Sequence, residues 1–174
     1  GRLAAPDEMK GLVFEQLYSE QVVAVVRPGH PLLADTGGRI ADHPVILPPP
    51  EAIIRPVVEQ YFLTHGMEVP RPPVETVSLA LGRALVRASD AVWFISGGVV
   101  AEEIEAKVRV SLGIGGLAQP GPVGLTLRSG QEASDALTQL MVALREVEMN
   151  GGKGQVLDLA AMEDVGVKLI LGVL

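Results

Sequence analysis

The stretch Gln21-Val22-Val23-Ala24-Val25-Val26-Arg27-Pro28-Gly29-His30-Pro31 decides the fold. Its first half is a continuous β-branched run with no polar alternation. That pattern predicts an extended strand from Gln21 to Arg27 that is covered on both faces. The Arg-Pro-Gly-His-Pro sequence then ends it, because proline fixes φ and removes a donor while glycine supplies a turn. Working outward, Leu12–Gln16 reads as a second extended segment, and Val45–Leu47 as a short strand stopped by the three prolines Pro48–Pro50. Beyond these prolines Ile54, Val57, Val58, Tyr61 and Phe62 recur at helical spacing, with Arg55 and Glu59 four residues apart on the opposite face. The spacing predicts a helix over 52–64 that stops at His65-Gly66, where glycine can take the left-handed cap.

The same alternation continues downstream. Val74–Thr76 reads as extended, and Val77–Ala88 as a helix so apolar, apart from Arg83 and Arg87, that it is expected to be largely buried. Ala91–Ile95 is a buried strand, Val99–Ala106 a short helix, Lys107–Leu112 and Val123–Arg128 further strands. Gln131–Val147 is a long amphipathic helix. Strands alternating with helices predict an α/β fold with parallel sheets. In such sheets ligands bind outside the carboxyl ends of the strands. Three junctions of that kind are present: Leu47–Ala52, Thr76–Ser78 and Ile95–Val99.

Composition narrows the function. The chain has 174 residues, 48% of them apolar, enough for one compact domain or two small lobes. Its 14 Lys plus Arg against 21 Asp plus Glu leave a net charge of −7, which repels a phosphate backbone. This stretch is therefore not expected to hold DNA. Without cysteine there is no disulfide framework or thiolate metal site, and the three histidines, His30, His43 and His65, read as turn residues rather than metal ligands. Neither a metal nor a cofactor is expected. No apolar run approaches the ~18 residues of a membrane span, and the N-terminus lacks the features of a signal peptide, so a cytoplasmic setting with no membrane partner is expected. There is no G-x-S-x-G elbow, P-loop or His-Glu-x-x-His run, and Ser96-Gly97-Gly98 has no base nearby in sequence. The reading is of a protein that is not an enzyme.

Several segments, in order, carry a resemblance. Gly1-Arg2-Leu3, FEQLYSEQVVAVVRPGHPL (14–32), VSLALGRALVRASDAVWFIS (77–96) and GPVGLTLRSG (121–130) resemble consecutive landmarks of the effector-binding domain of LysR-type transcriptional regulators. Within that family they are most similar to regulators of protocatechuate catabolism and a related sugar-responsive branch. The resemblance covers about residues 1–147. It implies a periplasmic-binding-protein-like (type 2) fold of two Rossmann-like lobes joined by crossover strands, with the effector held between them. Residues 1–20 and 112–147 would form part of the first lobe and 21–111 the second. The family's winged helix-turn-helix, its linker helix and the opening strand, helix and strand of the first lobe are not found ahead of Gly1, so the first lobe is expected to be incomplete. Residues 148–174 read as a glycine-rich linker followed by an apolar segment, Val167–Leu174. This segment is either a permuted first-lobe strand or an unrelated one.

The resemblance also implies a ligand. Effectors of this branch are small carboxylates more often than sugars, and such an anion needs a guanidinium, hydroxyl donors or free backbone N–H groups. Arg2 resembles a family arginine at the lobe crossover, though it could equally be a solvated terminus. Ala52, Ile53 and Ile54 open a helix whose N–H groups favour an anion. Thr76 and Ser78 can either cap the next helix or face the ligand. Trp93 and Phe94 point to opposite faces of a strand, so one of them, taken as Phe94, lines the cleft. The family implies a homodimer or higher oligomer, with DNA bound only through a domain outside this sequence. Two other readings stay open: a periplasmic-type solute-binding protein, and a dimerisation module with a vestigial cleft.

Overall fold

The computed structural model describes residues 1–34, 38–71, 73–115, 117, 119–130 and 132–149. The chain divides into two compact units, one of Gly1–Ser19 with the chain from Pro122 onward, the other of Glu20–Gly121. The readings of residues 150–174, the linker and the apolar end segment, lie outside the described residues.

The Glu20–Gly121 unit is built on a five-stranded sheet. Its strands are β2 (Val22–Val26), β3 (Val45–Leu47), β4 (Val74–Glu75), β5 (Val92–Ser96) and β6 (Val110–Ser111), in the order β4-β3-β5-β2-β6. The run VVAVV is covered on both faces as its sequence predicts. Val22, Ala24 and Val26 join a core on one side with Val45, Leu47, Val92 and Phe94, under Val58, Tyr61 and Phe62 of helix α1 (Arg55–Thr64). Val25 joins Ile46 and Trp93 on the other side, under Val86 of helix α2 (Leu79–Ala88) and Val100. Each buried valine contributes on the order of 1.5–3 kcal/mol relative to exposure. Gly66 ends α1 with φ +62°, the left-handed cap expected of it.

Three expectations are corrected. The sheet is mixed rather than parallel: β3 runs parallel to β4 and β5, but β2 runs antiparallel to both β5 and β6. A run buried on both faces looks the same in either direction, so its pattern carries no information about sense. Helix α2 is not largely buried. Only Gly82 and Val86 are, and Leu81 is 44% exposed, because one helix face meets the sheet and the apolar residues extend beyond it. The strand expected over 107–112 shrinks to Val110–Ser111. Its first residues terminate helix α3 (Ala101–Glu105) instead: Lys107 takes φ +58°, and the N–H groups of Lys107 and Val108 donate to the carbonyls of Ile104 and Glu103.

His30 is more than a turn residue. It is 1% exposed; its Nδ1 accepts from Leu32 N–H at 3.1 Å, and its Nε2 lies 3.1 Å from the Asp90 carbonyl oxygen. An imidazole makes both bonds only as the neutral Nε2–H tautomer. Burial pushes its pKa below the ordinary histidine value. Asp90 is in turn held by Arg27, whose Nε and Nη2 lie 3.0 and 2.7 Å from Oδ1.

In the other unit β1 (Leu12–Glu20) pairs with β7 (Gly121–Arg128). Gly124 lies against the backbone of Glu15 and Gln16 so closely that a Cβ there would overlap the Glu15 carbonyl. Helix α4 (Asp135–Met149) is tied to β1 by Arg145, which grips both carboxylate oxygens of Glu15 at 2.6 and 2.8 Å and holds that carboxyl below its usual range.

Two outcomes are expected. A Cβ at Gly82 would stand 2.6 Å from Cζ2 of the buried Trp93. Gly82→Ala should therefore lose about 1–3 kcal/mol to overpacking, outweighing a helix-propensity gain of up to ~1 kcal/mol. Urea unfolding followed by the fluorescence of this single tryptophan would read it, and a gain in stability would contradict the packing described. For His30, the unfolded chain takes up the proton more readily than the folded one. Its stabilising contribution is thus complete above about pH 6.5 and is lost as pH falls through the lowered folded-state value. Urea midpoints at pH 7.5 and 5.5 should differ less in His30→Gln than in the parent.

Candidate functional site

Parallel pairing brings the carboxyl ends of β3 and β4 side by side, Leu47 opposite Glu75, and β5 runs the same way beside β3. Because β2 is antiparallel to β5, with Val22 opposite Ser96, the start of β2 reaches that same edge. The chain leaving β6 comes back to it too, since Leu112 N–H donates to the Ala24 carbonyl at 2.9 Å. One edge of the unit therefore collects the loops where an open α/β sheet takes its ligands. A pocket of about 340 Å³ opens there, lined by residues 21–24, 111–115 and Leu117.

The structure brings five of the expected residues to this edge. Ala52, Ile53 and Ile54 form the turn leading into α1. Ala52 N–H is already committed to the Pro49 carbonyl at 2.9 Å, while no backbone acceptor among the described residues takes the N–H of Ile53 or Ile54. Thr76 is joined to β3 by its N–H, which donates to the Leu47 carbonyl at 3.1 Å. Its hydroxyl oxygen accepts from Ser78 N–H at 2.9 Å, and the Ser78 hydroxyl oxygen accepts from Leu81 N–H at 3.3 Å, capping α2. Both hydroxyls thus serve as caps, yet an accepting hydroxyl keeps its own proton to donate.

The remaining two lie elsewhere. Phe94 is 0% exposed, packed with Phe62 and Tyr61 in the core, and Trp93 is buried on the opposite face; both sides of β5 are covered, so neither ring lines a cleft. Arg2 belongs to the other unit and is not a frayed end. Gly1 N and Gly124 O are 2.8 Å apart, Gly124 N–H donates to Gly1 O at 2.7 Å, and Leu3 N–H donates to Pro122 O at 3.2 Å, so Arg2 bridges to Val123 as a short strand along β7.

Two side chains at the edge escaped the sequence reading. Arg55, placed there on an outer helix face, has a side chain only 11% exposed. Its Nη1 donates to the Pro48 carbonyl at 2.9 Å and to Glu75 at 2.6 Å, and its Nε to Glu59 at 2.8 Å. It therefore binds the turn after β3, the end of β4 and α1 into one block. The proline run just before it was the available signal, since carbonyls there have few local donors. Glu20 was the second: its carboxylate accepts from Gly98 N–H at 2.6 Å, while Gly97 N–H donates to the Gln21 carbonyl at 2.8 Å. The junction after β5 is thereby filled from within, and a Cβ at Gly98 would strike Glu20. Nothing in the sequence pairs residues so far apart.

A mixed five-stranded α/β unit, inserted into a second unit built from the two ends of the chain, is the arrangement of the type 2 periplasmic-binding-like fold. The solved structures it resembles include the effector-binding domain of QuiR in complex with shikimate (TM-score 0.61, 16% identity, 78% of this chain and 64% of that one). They also include the Synechocystis PCC6803 CcmR regulatory domain in complex with 2-PG (TM-score 0.66, 16% identity, 85% and 72%). The family profile described as LysR substrate binding domain matches residues 2–148, and the chain belongs to that family. Among its relatives are the HTH-type transcriptional regulator PcaQ of Agrobacterium fabrum, 47% identical over 150 residues, covering 84% of this chain and 48% of PcaQ. GalR of Pseudomonas putida is 33% identical over 151 residues, covering 84% of this chain and 38% of GalR. The chain thus spans about half the length, or less, of these curated relatives. No helix among the described residues is long and apolar enough to cross a membrane.

Arg55→Met should cost about 1–3 kcal/mol, since it leaves the Pro48 carbonyl and Glu75 without their buried donor. Arg55→Lys should recover only part, an ammonium being unable to reach three acceptors in the plane of a guanidinium. Chemical denaturation of the two variants tests the order.

Proposed function

We propose that the chain senses a small carboxylate for a LysR-type regulator, at the edge formed by residues 52–54, 76 and 78. The observation that carries the reading is the set of donors there: the N–H groups of Ile53 and Ile54 and the hydroxyl protons of Thr76 and Ser78. Of the nearby carboxylates, Glu75 shares the Arg55 guanidinium with Glu59, and Glu20 accepts a glycine amide N–H. The likeness to domains solved in complex with shikimate and with 2-PG supports the same class. Arg2, held along β7 in the other unit, is the guanidinium that the family resemblance offers to such a ligand.

The chain performs no catalysis in this proposal. It signals in the cytoplasm to a DNA-reading domain supplied by the rest of a longer protein, whose relatives are transcriptional regulators. The half-exposed Val77 and Leu81 of the α2 region offer apolar surface for self-association into a dimer or higher oligomer.

Calorimetry with shikimate and its methyl ester tests the proposal. Arg2→Ala should weaken the acid by roughly 2–4 kcal/mol, because truncating one partner leaves the other desolvated and unpaired. Arg2→Lys should restore part of that loss, and the ester should be nearly indifferent to either change. Thr76→Val with Ser78→Ala should weaken both ligands. Equal affinity for the acid in the parent and all variants would remove these residues from the site.

A further inference from the structure

A second pocket, of about 650 Å³, lies within the Glu20–Gly121 unit beside β6 and the far end of α1. Its apolar wall is made by Leu32, Met67, Leu112 and Ile114. Among the described residues its lining holds a single charged side chain, beside Ser111, Tyr61 and His65. Arg39 lines it and has no carboxylate partner among the described residues. His65 lines it too, its Nδ1 donating to the Tyr61 carbonyl at 2.8 Å, which leaves Nε2 uncommitted. Tyr61 packs beside His65, ring centroids 4.4 Å apart, and presents an aromatic wall. No Asp or Glu among the described residues lines the pocket, although acidic residues outnumber basic ones by 21 to 14 in the chain.

A hollow of this size, with an apolar wall on one side and one guanidinium among its described lining residues, matches a ligand that is apolar at one end and anionic at the other. A neutral apolar ligand would leave Arg39 without a counter-charge, and a cation would be repelled by it. We infer that this pocket, which shares its wall at residues 111–114 with the 340 Å³ pocket, is a second ligand site that does not include residues 52–54, 76 and 78, for a small monocarboxylate with an apolar or aromatic body. Its carboxylate pairs with Arg39 and its body rests on Met67, Leu112 and Ile114. The site does not depend on the identity of the ligand bound at the other edge.

The test is an amide-resolved NMR titration of the chain with phenylacetate, and with phenylacetamide as the neutral isostere. Phenylacetate should shift the amides of Arg39, Tyr61, His65 and Met67 saturably, with the amide analogue at least ten-fold weaker. Arg39→Gln, at an exposed position that leaves the core untouched, should bring phenylacetate down to the level of the analogue. Met67→Trp, which fills the hollow, should abolish both, while Thr76→Val with Ser78→Ala should leave this titration unmoved. Shifts confined to residues 52–54 and 76–78 would overturn the inference, as would equal binding of acid and amide or an unchanged affinity in Arg39→Gln.

Discussion

Val22, Ala24, Val25 and Val26 are shut off from water on the two sides of β2, and the strand pairs on both edges, with β5 and with β6. A strand in that position forces helical cover on two faces, which α1 and α2 provide from opposite sides through Phe62 and Val86. The cover in turn fixes where the connections run. Helices that return over a sheet must enter and leave at its two ends, so the turns at 48–54 and 76–78 come to the same end as the start of β2. The position of the ligand-facing edge is thus a consequence of keeping four small side chains dry.

At that edge most polar groups serve two purposes. Thr76 and Ser78 close the entry to α2 by accepting amide protons and keep hydroxyl protons for another partner. Arg55 spends its guanidinium on holding the turns together rather than on a ligand. Glu20 fills the amide of Gly98 that would otherwise attract an anion. The rigidity of the first two junctions and the occupancy of the third together narrow the places where an anion finds unsatisfied donors.

Much of this was legible in the residues. The β-branched run, the strand Val45–Leu47 and the glycine cap after α1 follow from local stereochemistry, and they stand where the sequence puts them. The family was legible in segments 14–32, 77–96 and 121–130, and it sets the two-unit architecture. What was not legible depends on partners remote in sequence. The sense of β2 is decided by Ser96 and Ser111, which pair with it. Phe94 looked available because nothing local shows that α1 covers it. Arg55 read as a surface residue because its acceptor on Glu75 is twenty positions away. His30 read as a turn because Asp90, sixty positions on, supplies the carbonyl that buries it.

The unit Glu20–Gly121 is one uninterrupted stretch, whereas its companion is assembled from the two ends of the chain. During synthesis the inserted unit can complete its core while β1, already made, still lacks β7. Joining β1 to β7 then closes a loop whose interior is already ordered, instead of a free coil of about a hundred residues whose closure entropy grows with its length. The order of assembly is thereby written into the chain path: the middle matures first, and the outer unit is sealed last, when the stretch around Gly124 arrives against Glu15.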